Sequence, residues 1–343
     1  MLVERLTVYP HFIEHRDTWL DNRLIKRVLH HSDSTGLARD DIWTAGDKRS
    51  DELPAASAGR SKSAKASALV RDISDRAQSG QQLSESDIVA LFGTRGADFE
   101  HVCAAADQIR QEVSGDTVTY VVNRNINYTN MCTYRCKFCA FSRGKGRTSL
   151  RGEPYLLDMD EISRRTQEAW DRGATEVCLQ GGIHPTFTGD TYLEICRTVK
   201  ETIPDMHVHA FSALEISHGA RTLGISIAKF LGMLKEAGLG TLPGTAAEIL
   251  HAPIRTRLCA DKLTTEEWVS VIETAHNQGI RTTSTIMFGH IETPTSWAKH
   301  LLTLRELQGR TGGVTEFVPL PFVHMEAPMY LKGETRPGPT LSL

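Results

Sequence analysis

From about residue 117 onward, the apolar positions switch repeatedly between two periods. Short β-branched or alternating runs are followed by longer stretches with apolar residues three and four apart. The first pattern predicts strands and the second amphipathic helices. TVTYVVNRNINYTN (117–130) reads as a strand, DEISRRTQEAWDRG as a helix and TEVCLQGG (175–182) as the next strand. Helix TYLEICRTVKETI leads to strand MHVHAFS (206–212), and helix IAKFLGMLKEAG to a short strand near LGTLPG (239–244). Helix TEEWVSVIETAHNQG leads to RTTSTIMFG (281–289), and TSWAKHLLTLRELQGR to VTEFVPLPF (314–322). Six strands joined by helical crossovers pair in parallel with right-handed connections. A six-strand partial barrel and a doubly wound sheet both satisfy that pattern.

Upstream the pattern differs. Residues 1–43 form short amphipathic pieces, with Leu20, Leu24, Val28 and Leu29 at helical spacing. Residues 44–68 are rich in Ala, Ser, Gly and Lys and read as a flexible linker. Residues 69–116 read as a helical extension: Ser84 is the expected N-cap of one helix, with Asp87 three residues on, and 97–113 forms another. The barrel-like pattern spans 117–337, and 338–343 is a tail.

Composition narrows the classes. A chain of 343 residues can hold one large barrel or two ordinary domains, and 40% apolar with 24% charged residues is ordinary for a soluble protein. A net charge of −3 gives no electrostatic case for nucleic acid or membrane. No apolar run approaches a membrane span, and the first residues lack the apolar core of a signal peptide, so a cytoplasmic, reducing setting is expected. Seven cysteines, an odd number with three clustered, fit metal binding better than disulfides.

In either architecture the functional loops leave the C-terminal ends of the strands. Cys132, Cys136 and Cys139 follow strand one, and Gln180, Gly181, Gly182 and His184 follow strand two. Phe211 to Glu215 follow strand three, Pro243-Gly244-Thr245 and Glu248 strand four, and Gly289-His290 strand five. Loops meeting at one rim imply one site. The cysteine spacing is C-x3-C-x2-C, with no fourth cysteine beside it. Structural zinc takes four protein ligands, so a fourth would come from a distant loop, with His184 a conceivable donor. A ferredoxin-type cluster takes four cysteines at other spacings. Three ligands and one open position suit a 4Fe-4S cluster whose fourth iron binds something exchangeable. Three reduced structural cysteines and a zinc site are the competing readings.

CTYRCKFC resembles the C-x3-C-x-aromatic-C loop of the radical S-adenosylmethionine (SAM) enzymes, with Phe138 at the aromatic position. The resemblance implies an α/β fold, a partial (β/α)6 TIM-like barrel of the radical SAM type. It implies one 4Fe-4S cluster on Cys132, Cys136 and Cys139, whose open iron chelates SAM. Reductive cleavage would then give methionine and a 5'-deoxyadenosyl radical. By the same resemblance Phe138 lies against the adenine, and Gln180-Gly181-Gly182 is the glycine-rich motif that takes the SAM amino group. Arg135, Lys137, Arg143, Lys145 and Arg147 crowd the loop, read either as compensation of an anionic cluster or as a solvated basic turn.

NRNINYTNMCTYRCKFCAF, LQGGIHP, HAFSALEI, LPGTAAEIL and TTSTIMFGHIET together resemble the tyrosine-using half of the deazaflavin (FO) synthases, over about residues 70–337. LTVYP and GLARDDIW, within residues 1–43, resemble the end of the other half and the connector of fused FO synthases. With a single cysteine loop, the chemistry of that other module is not expected here. The resemblance implies coupling of L-tyrosine to 5-amino-6-(D-ribitylamino)uracil. Hydrogen abstraction from the tyrosine amine would break Cα–Cβ, and the 4-hydroxybenzyl radical would add to C5 of the uracil. An electron donor such as a ferredoxin or flavodoxin is implied, with the first FO synthase module closing the ring downstream. Family members continue past the sixth strand into a segment that covers the barrel, so the ending KGETRPGPTLSL reads as a truncation. The nearest alternative is an aminofutalosine or cyclic futalosine enzyme of menaquinone synthesis. From another class, an inactive iron-sulfur- or zinc-binding barrel serving as a partner surface is the competing reading.

Two polar substrates need hydrogen-bonding partners in a mostly dry cavity. Thr282-Thr283-Ser284-Thr285 is unusually polar for a buried parallel strand. His207 and His209 share one strand face, and His209 is the candidate expected to face the cavity. Glu215 is expected at SAM, and Glu248 and His290 at the substrates. Cys103, Cys178, Cys196 and Cys259 read as small buried apolar residues.

Overall fold

The computed structural model describes residues 16–19, 25, 28, 66–142, 153–324 and 327–335. The readings at Leu20, Leu24 and Leu29, over 44–65 of the linker, at Arg143, Lys145 and Arg147, and in the tail 338–343 lie outside these residues. Before residue 65 the described residues include one short helix, α1 (Arg16–Trp19). Residues 65–338 form one compact unit.

That unit begins with α2 (Ala68–Gln78), α3 (Glu85–Phe92) and α4 (Ala97–Ser114). Ser84 caps α3 in the expected reciprocal arrangement with Asp87. Strands and helices then alternate: β1 (Asn123–Asn127), α5 (Met159–Asp171), β2 (Glu176–Gln180), α6 (Gly189–Thr202), β3 (His207–Ala210). Two helices follow β3, α7 (Ala213–Leu223) and α8 (Ile227–Glu236), before β4 (Thr241–Leu242). Two more, α9 (Ala252–Cys259) and α10 (Thr265–Asn277), precede β5 (Arg281–Phe288). The series ends with α11 (Pro294–Thr311), β6 (Val314–Pro321) and α12 (Pro328–Leu331).

All six strands form one parallel sheet in the order β1-β2-β3-β4-β5-β6. A doubly wound sheet reverses its strand order at a switch point. This one never reverses, so the partial barrel is the architecture. Ile126, Val177, Leu179, Val208, Ala210 and Leu242 are buried on the outer face, in one core with side chains of the surrounding helices. The intervening residues therefore face inward, among them Asn125, Cys178, Gln180, His209 and Thr241.

β1 is shorter than the 117–130 expected. Its register sets Asn123 opposite Glu176, where β2 starts, so the preceding residues have no strand to pair with. Val118, Tyr120 and Val121 are exposed as a result. Of the N-terminal helices, α3 docks on α11. Lys299 pairs with Glu85 at 2.9 Å, Arg305 donates to the Leu83 carbonyl at 2.7 Å, and Phe92 meets Trp297 edge-on with centroids 4.9 Å apart. Among the described residues no helix is long and apolar enough to cross a membrane.

Candidate functional site

The loops at the C-terminal ends of the strands enclose a cavity of about 250 Å3. Cys132, Cys136, Phe138 and Cys139 line it from the loop after β1, and Gln180, Gly181 and Gly182 from the loop after β2. Glu215 and Glu248 also reach it, as do Lys262, Thr245 and the apolar Phe141 and Met287.

Four hydrogen bonds through its own backbone hold the cysteine loop. Thr133 N–H donates to the Ile183 carbonyl at 2.9 Å, and Lys137 N–H to Leu258 at the end of α9 at 2.9 Å. Met329 N–H of α12 donates to the Lys137 carbonyl at 2.8 Å, and Arg135 N–H to the Asp261 carboxylate at 2.9 Å. The Gly-Gly pair is dictated by contact with this loop. A Cβ on Gly181 would stand 2.3 Å from the Tyr128 ring, and one on Gly182 would stand 2.1 Å from the Met131 carbonyl oxygen. Ile183 N–H then meets Cys132 Sγ at 3.3 Å.

The three thiols ring one cavity, yet among the described residues no three His, Cys, Asp or Glu side chains are grouped to hold a single ion. Three cysteine donors at one cavity are the ligand type an iron–sulfur cluster takes, so the residues present fit that group. Burial pushes the Cys136 and Cys139 thiols up, with Lys262 acting in the opposite direction on both. His184 lines a separate cavity with His218, Arg221 and Asp261, and its Nδ1 lies 2.8 Å from the Thr186 hydroxyl.

Lys262 had no signal in the sequence. Its ammonium lies 2.9 Å from Glu248, both side chains largely buried, and 5.2 Å from the centre of the Phe138 ring, a cation–π distance. Burial is the largest influence on the Lys262 pKa and lowers it, but the charge and hydrogen bond of Glu248 together with the neighbouring Cys136 and Cys259 reverse this, and the net direction is upward. Glu248 and Ala246 both have left-handed backbone, φ 47° and 63°. Such strain persists only where the surroundings fix it. Here the buried Arg255 guanidinium donates to the carbonyls of Ala246 and Leu263, at 3.2 and 3.1 Å, and to that of Ala247. Arg255 thereby ties the Glu248 loop to the segment carrying Lys262.

Glu215 is buried at the N-terminus of α7 and accepts from four donors. These are Ser212 N–H and hydroxyl at 2.6 Å each, Gly181 N–H at 3.3 Å, and the Tyr128 hydroxyl. Burial pushes its pKa up, against the pull of these bonds. With its acceptor positions filled, Glu215 holds the Gly181 backbone in place; direct contact with SAM, expected from the sequence, would have to displace a donor.

His209 and His290 lie outside the cavity lining. His209 sits lower on β3, with Nδ1 2.7 Å from the Thr241 hydroxyl. Burial, then the charge of His207, lowers its pKa to about 4. His290 is buried, with Nδ1 2.7 Å from Glu292 and Nε2 3.1 Å from the Met287 carbonyl. Burial raises the Glu292 pKa, but the hydrogen bond and charge of His290 together with backbone N–H donors, Gly289 among them, more than reverse this, to about 2. The threonines of the polar strand β5 bond to neighbouring elements, while the buried Ser284 hydroxyl has no partner among the described residues. Thr283 accepts from Gly244 N–H at 2.9 Å and Thr285 donates to the Gly244 carbonyl at 2.8 Å. Cys196 and Cys259 are buried as expected. Cys103 is exposed, because α4 lies on the surface, and Cys178 is half-buried, because it faces inward from β2.

Comparison with known proteins agrees with this geometry. The pattern of the Radical SAM superfamily matches residues 126–304. The chain is 42% identical to an FO synthase of Streptomyces coelicolor, over 99% of this chain and 43% of that protein. An FO synthase of Mycobacterium tuberculosis is 41% identical over 99% of this chain and 44% of its own length. The chain thus spans less than half of the FO synthases it matches. A 5-amino-6-(D-ribitylamino)uracil–L-tyrosine 4-hydroxyphenyl transferase of Methanothermobacter thermautotrophicus is 44% identical, over 76% of this chain and 70% of that protein. Among solved structures, methylornithine synthase (PylB) has a TM-score of 0.55 at 20% identity, over 75% of this chain and 70% of its own. The hydrogenase maturase HydG of Carboxydothermus hydrogenoformans reaches 0.58 at 17% identity, over 75% and 58%. Those two likenesses show the shared fold. From its sequential half-barrel, its match from β1 into α11 and its identity to the Methanothermobacter transferase, the chain belongs to the radical SAM superfamily and, within it, to the family of that transferase.

Proposed function

We propose that the chain transfers the 4-hydroxybenzyl part of L-tyrosine to 5-amino-6-(D-ribitylamino)uracil, the coupling reaction of FO synthesis. The observation that carries this reading is the 44% identity to the transferase of that name, over most of both chains.

The superfamily works with one 4Fe-4S cluster and SAM, and Cys132, Cys136 and Cys139 would hold the cluster. When bound, the two supply one-electron hydrogen abstraction, and the rest is the work of this chain's residues. The bare backbone at Gly181-Gly182 lets the β2 loop pack directly on the cysteine loop. Glu215 and Tyr128 fix Gly181 from behind. Lys262, paired with Glu248, sets its ammonium over Phe138 and so steadies that ring on the cysteine loop. Phe141, Leu214 and Met287 keep the cavity walls apolar, which excludes water from a reactive site. Gln180 lines the cavity, accepting a hydrogen bond from Thr245 at 2.9 Å and donating one to Cys178 Sγ at 3.4 Å. Glu248 sits at the same cavity as a candidate partner for substrate, while His209 faces the lumen beneath it.

The reading includes an electron donor such as a ferredoxin or flavodoxin, and Arg135, exposed on the cysteine loop, suits an acidic carrier. It also includes a cytoplasmic setting and the first FO synthase module acting downstream. The test uses anaerobic, reconstituted and reduced protein with tyrosine alone, the diaminouracil alone, both together, and futalosine-type nucleosides in parallel. Coupled product is expected only when both substrates are present. Turnover only with the nucleosides would sink the reading.

A further inference from the structure

The proposed transferase substrate has two unlike ends, a flat pyrimidine and a neutral polyol chain. Strand register puts a matching surface directly under the cavity. Asn125, Cys178, His209 and Thr241 stand opposite one another across β1, β2, β3 and β4. In the row above, Asn127 faces Gln180, which lines the cavity. In the row below, Asn123 donates to Glu176 at 3.4 Å, and His207 Nε2 lies 3.8 Å from Glu176 and 2.8 Å from the Thr241 hydroxyl, which therefore meets both histidines.

The middle row is uncharged, and part of its hydrogen-bonding capacity is spare. Among the described residues the side-chain amides of Asn125 and Asn127 make no hydrogen bond, and Asn125 is exposed. His209 uses Nδ1 on Thr241, and among the described residues no hydrogen bond is made by its Nε2. Burial keeps its ring neutral at pH 7. Amides, a neutral imidazole and a hydroxyl offer donors and acceptors without net charge. That matches sugar-alcohol hydroxyls, each of which both donates and accepts. A carboxylate or phosphate would find no cation in the row, and Lys262 is already paired with Glu248.

We propose that Asn125, His209 and Thr241, with Asn127 above them, form a polyol subsite that seats the ribityl chain and presents the pyrimidine to the cavity. The inference rests on the transferase reading. It is tested by equilibrium binding under anaerobic conditions, with the full chain and no SAM, so that nothing turns over. Two ligands are compared: 5-amino-6-(D-ribitylamino)uracil and 5,6-diaminouracil, which lacks the chain. Asn125→Leu, Thr241→Val and His209→Phe should each weaken binding of the ribityl compound by about 3- to 10-fold, as for one lost neutral hydrogen bond. Binding of 5,6-diaminouracil should stay at the wild-type value. Thr241→Val preserves shape, so the test stands even if His209→Phe folds poorly. Wild-type affinity for the ribityl compound in Asn125→Leu and Thr241→Val, or an equal loss for both ligands, would overturn the subsite alone. Failure of the wild-type protein to bind the ribityl compound would bring down the transferase reading and the subsite with it.

Discussion

Gly182 sets the tightest tolerance at the site. Alanine there would drive a methyl group into the Met131 carbonyl and the Cys132 Cβ, both backbone-anchored, so the cysteine loop must shift. Gly182→Ala should destabilise the protein by about 1–3 kcal/mol, as overpacking does, and lower the iron retained after reconstitution. Urea unfolding and iron analysis read the two effects. Lys262 is a second case. Lys262→Met leaves the Glu248 carboxylate without its partner in a largely buried place. Removing one partner of a buried pair costs about 3 kcal/mol, whereas Lys262→Met with Glu248→Gln should recover much of that. A double variant no more stable than Lys262→Met would show that the pair is not what fixes this loop. These two residues also mark the limit of sequence reading. Cys132, Cys136, Cys139, Gly181 and Gly182 were legible because short spacing encodes their chemistry. Lys262 was not, because only the turn after α9, clamped by Arg255, brings it beside Phe138.

At the scale of elements, α7 is the instructive case. HAFSALEI looks like the end of a strand running into a loop, yet Ser212 starts a helix there at once. The capping pair Ser212–Glu215 does the starting, and the same Glu215 steadies Gly181 on the neighbouring loop. Ser212→Ala should therefore cost about 1–2 kcal/mol, the upper range for losing an N-cap, because it also removes a donor to a buried carboxylate. A change below the error of a urea titration would contradict this. The strands were legible from their apolar alternation, and β5 and β6 fall within a residue of the expected ends. β1 was overextended because TVTYVV has strand-like composition, and composition does not say where the neighbouring strand begins.

At the scale of the whole molecule, the alternation of strands and helices could not by itself separate a curled sheet from a doubly wound one. Strand order decides that, and strand order is a property of the assembled sheet. Assembly also buries histidines in neutral form. Burial lowers the pKa of His209 to about 4 and of His300 to about 3, and shifts His218, His251, His276 and His324 the same way. The sign follows from linkage. Below about pH 6.5 the unfolded chain takes up protons that the folded one refuses, so this contribution is complete above that pH and shrinks toward about pH 4. Between pH 7.5 and 5.5 the part due to His209 should be about 1 kcal/mol. It is read as the difference in urea stability between wild type and His209→Phe at the two pH values, and equal slopes would contradict it.

The central claim is that this half-barrel splits tyrosine and passes its ring portion to a ribityl-bearing pyrimidine. The most direct measurement supplies reduced, reconstituted protein with SAM, the diaminouracil and tyrosine labelled with carbon-13 either in the ring or at Cα. The account predicts that ring label appears in the uracil product and that Cα label does not. Cα label retained in the product, or a product carrying neither label, would contradict it.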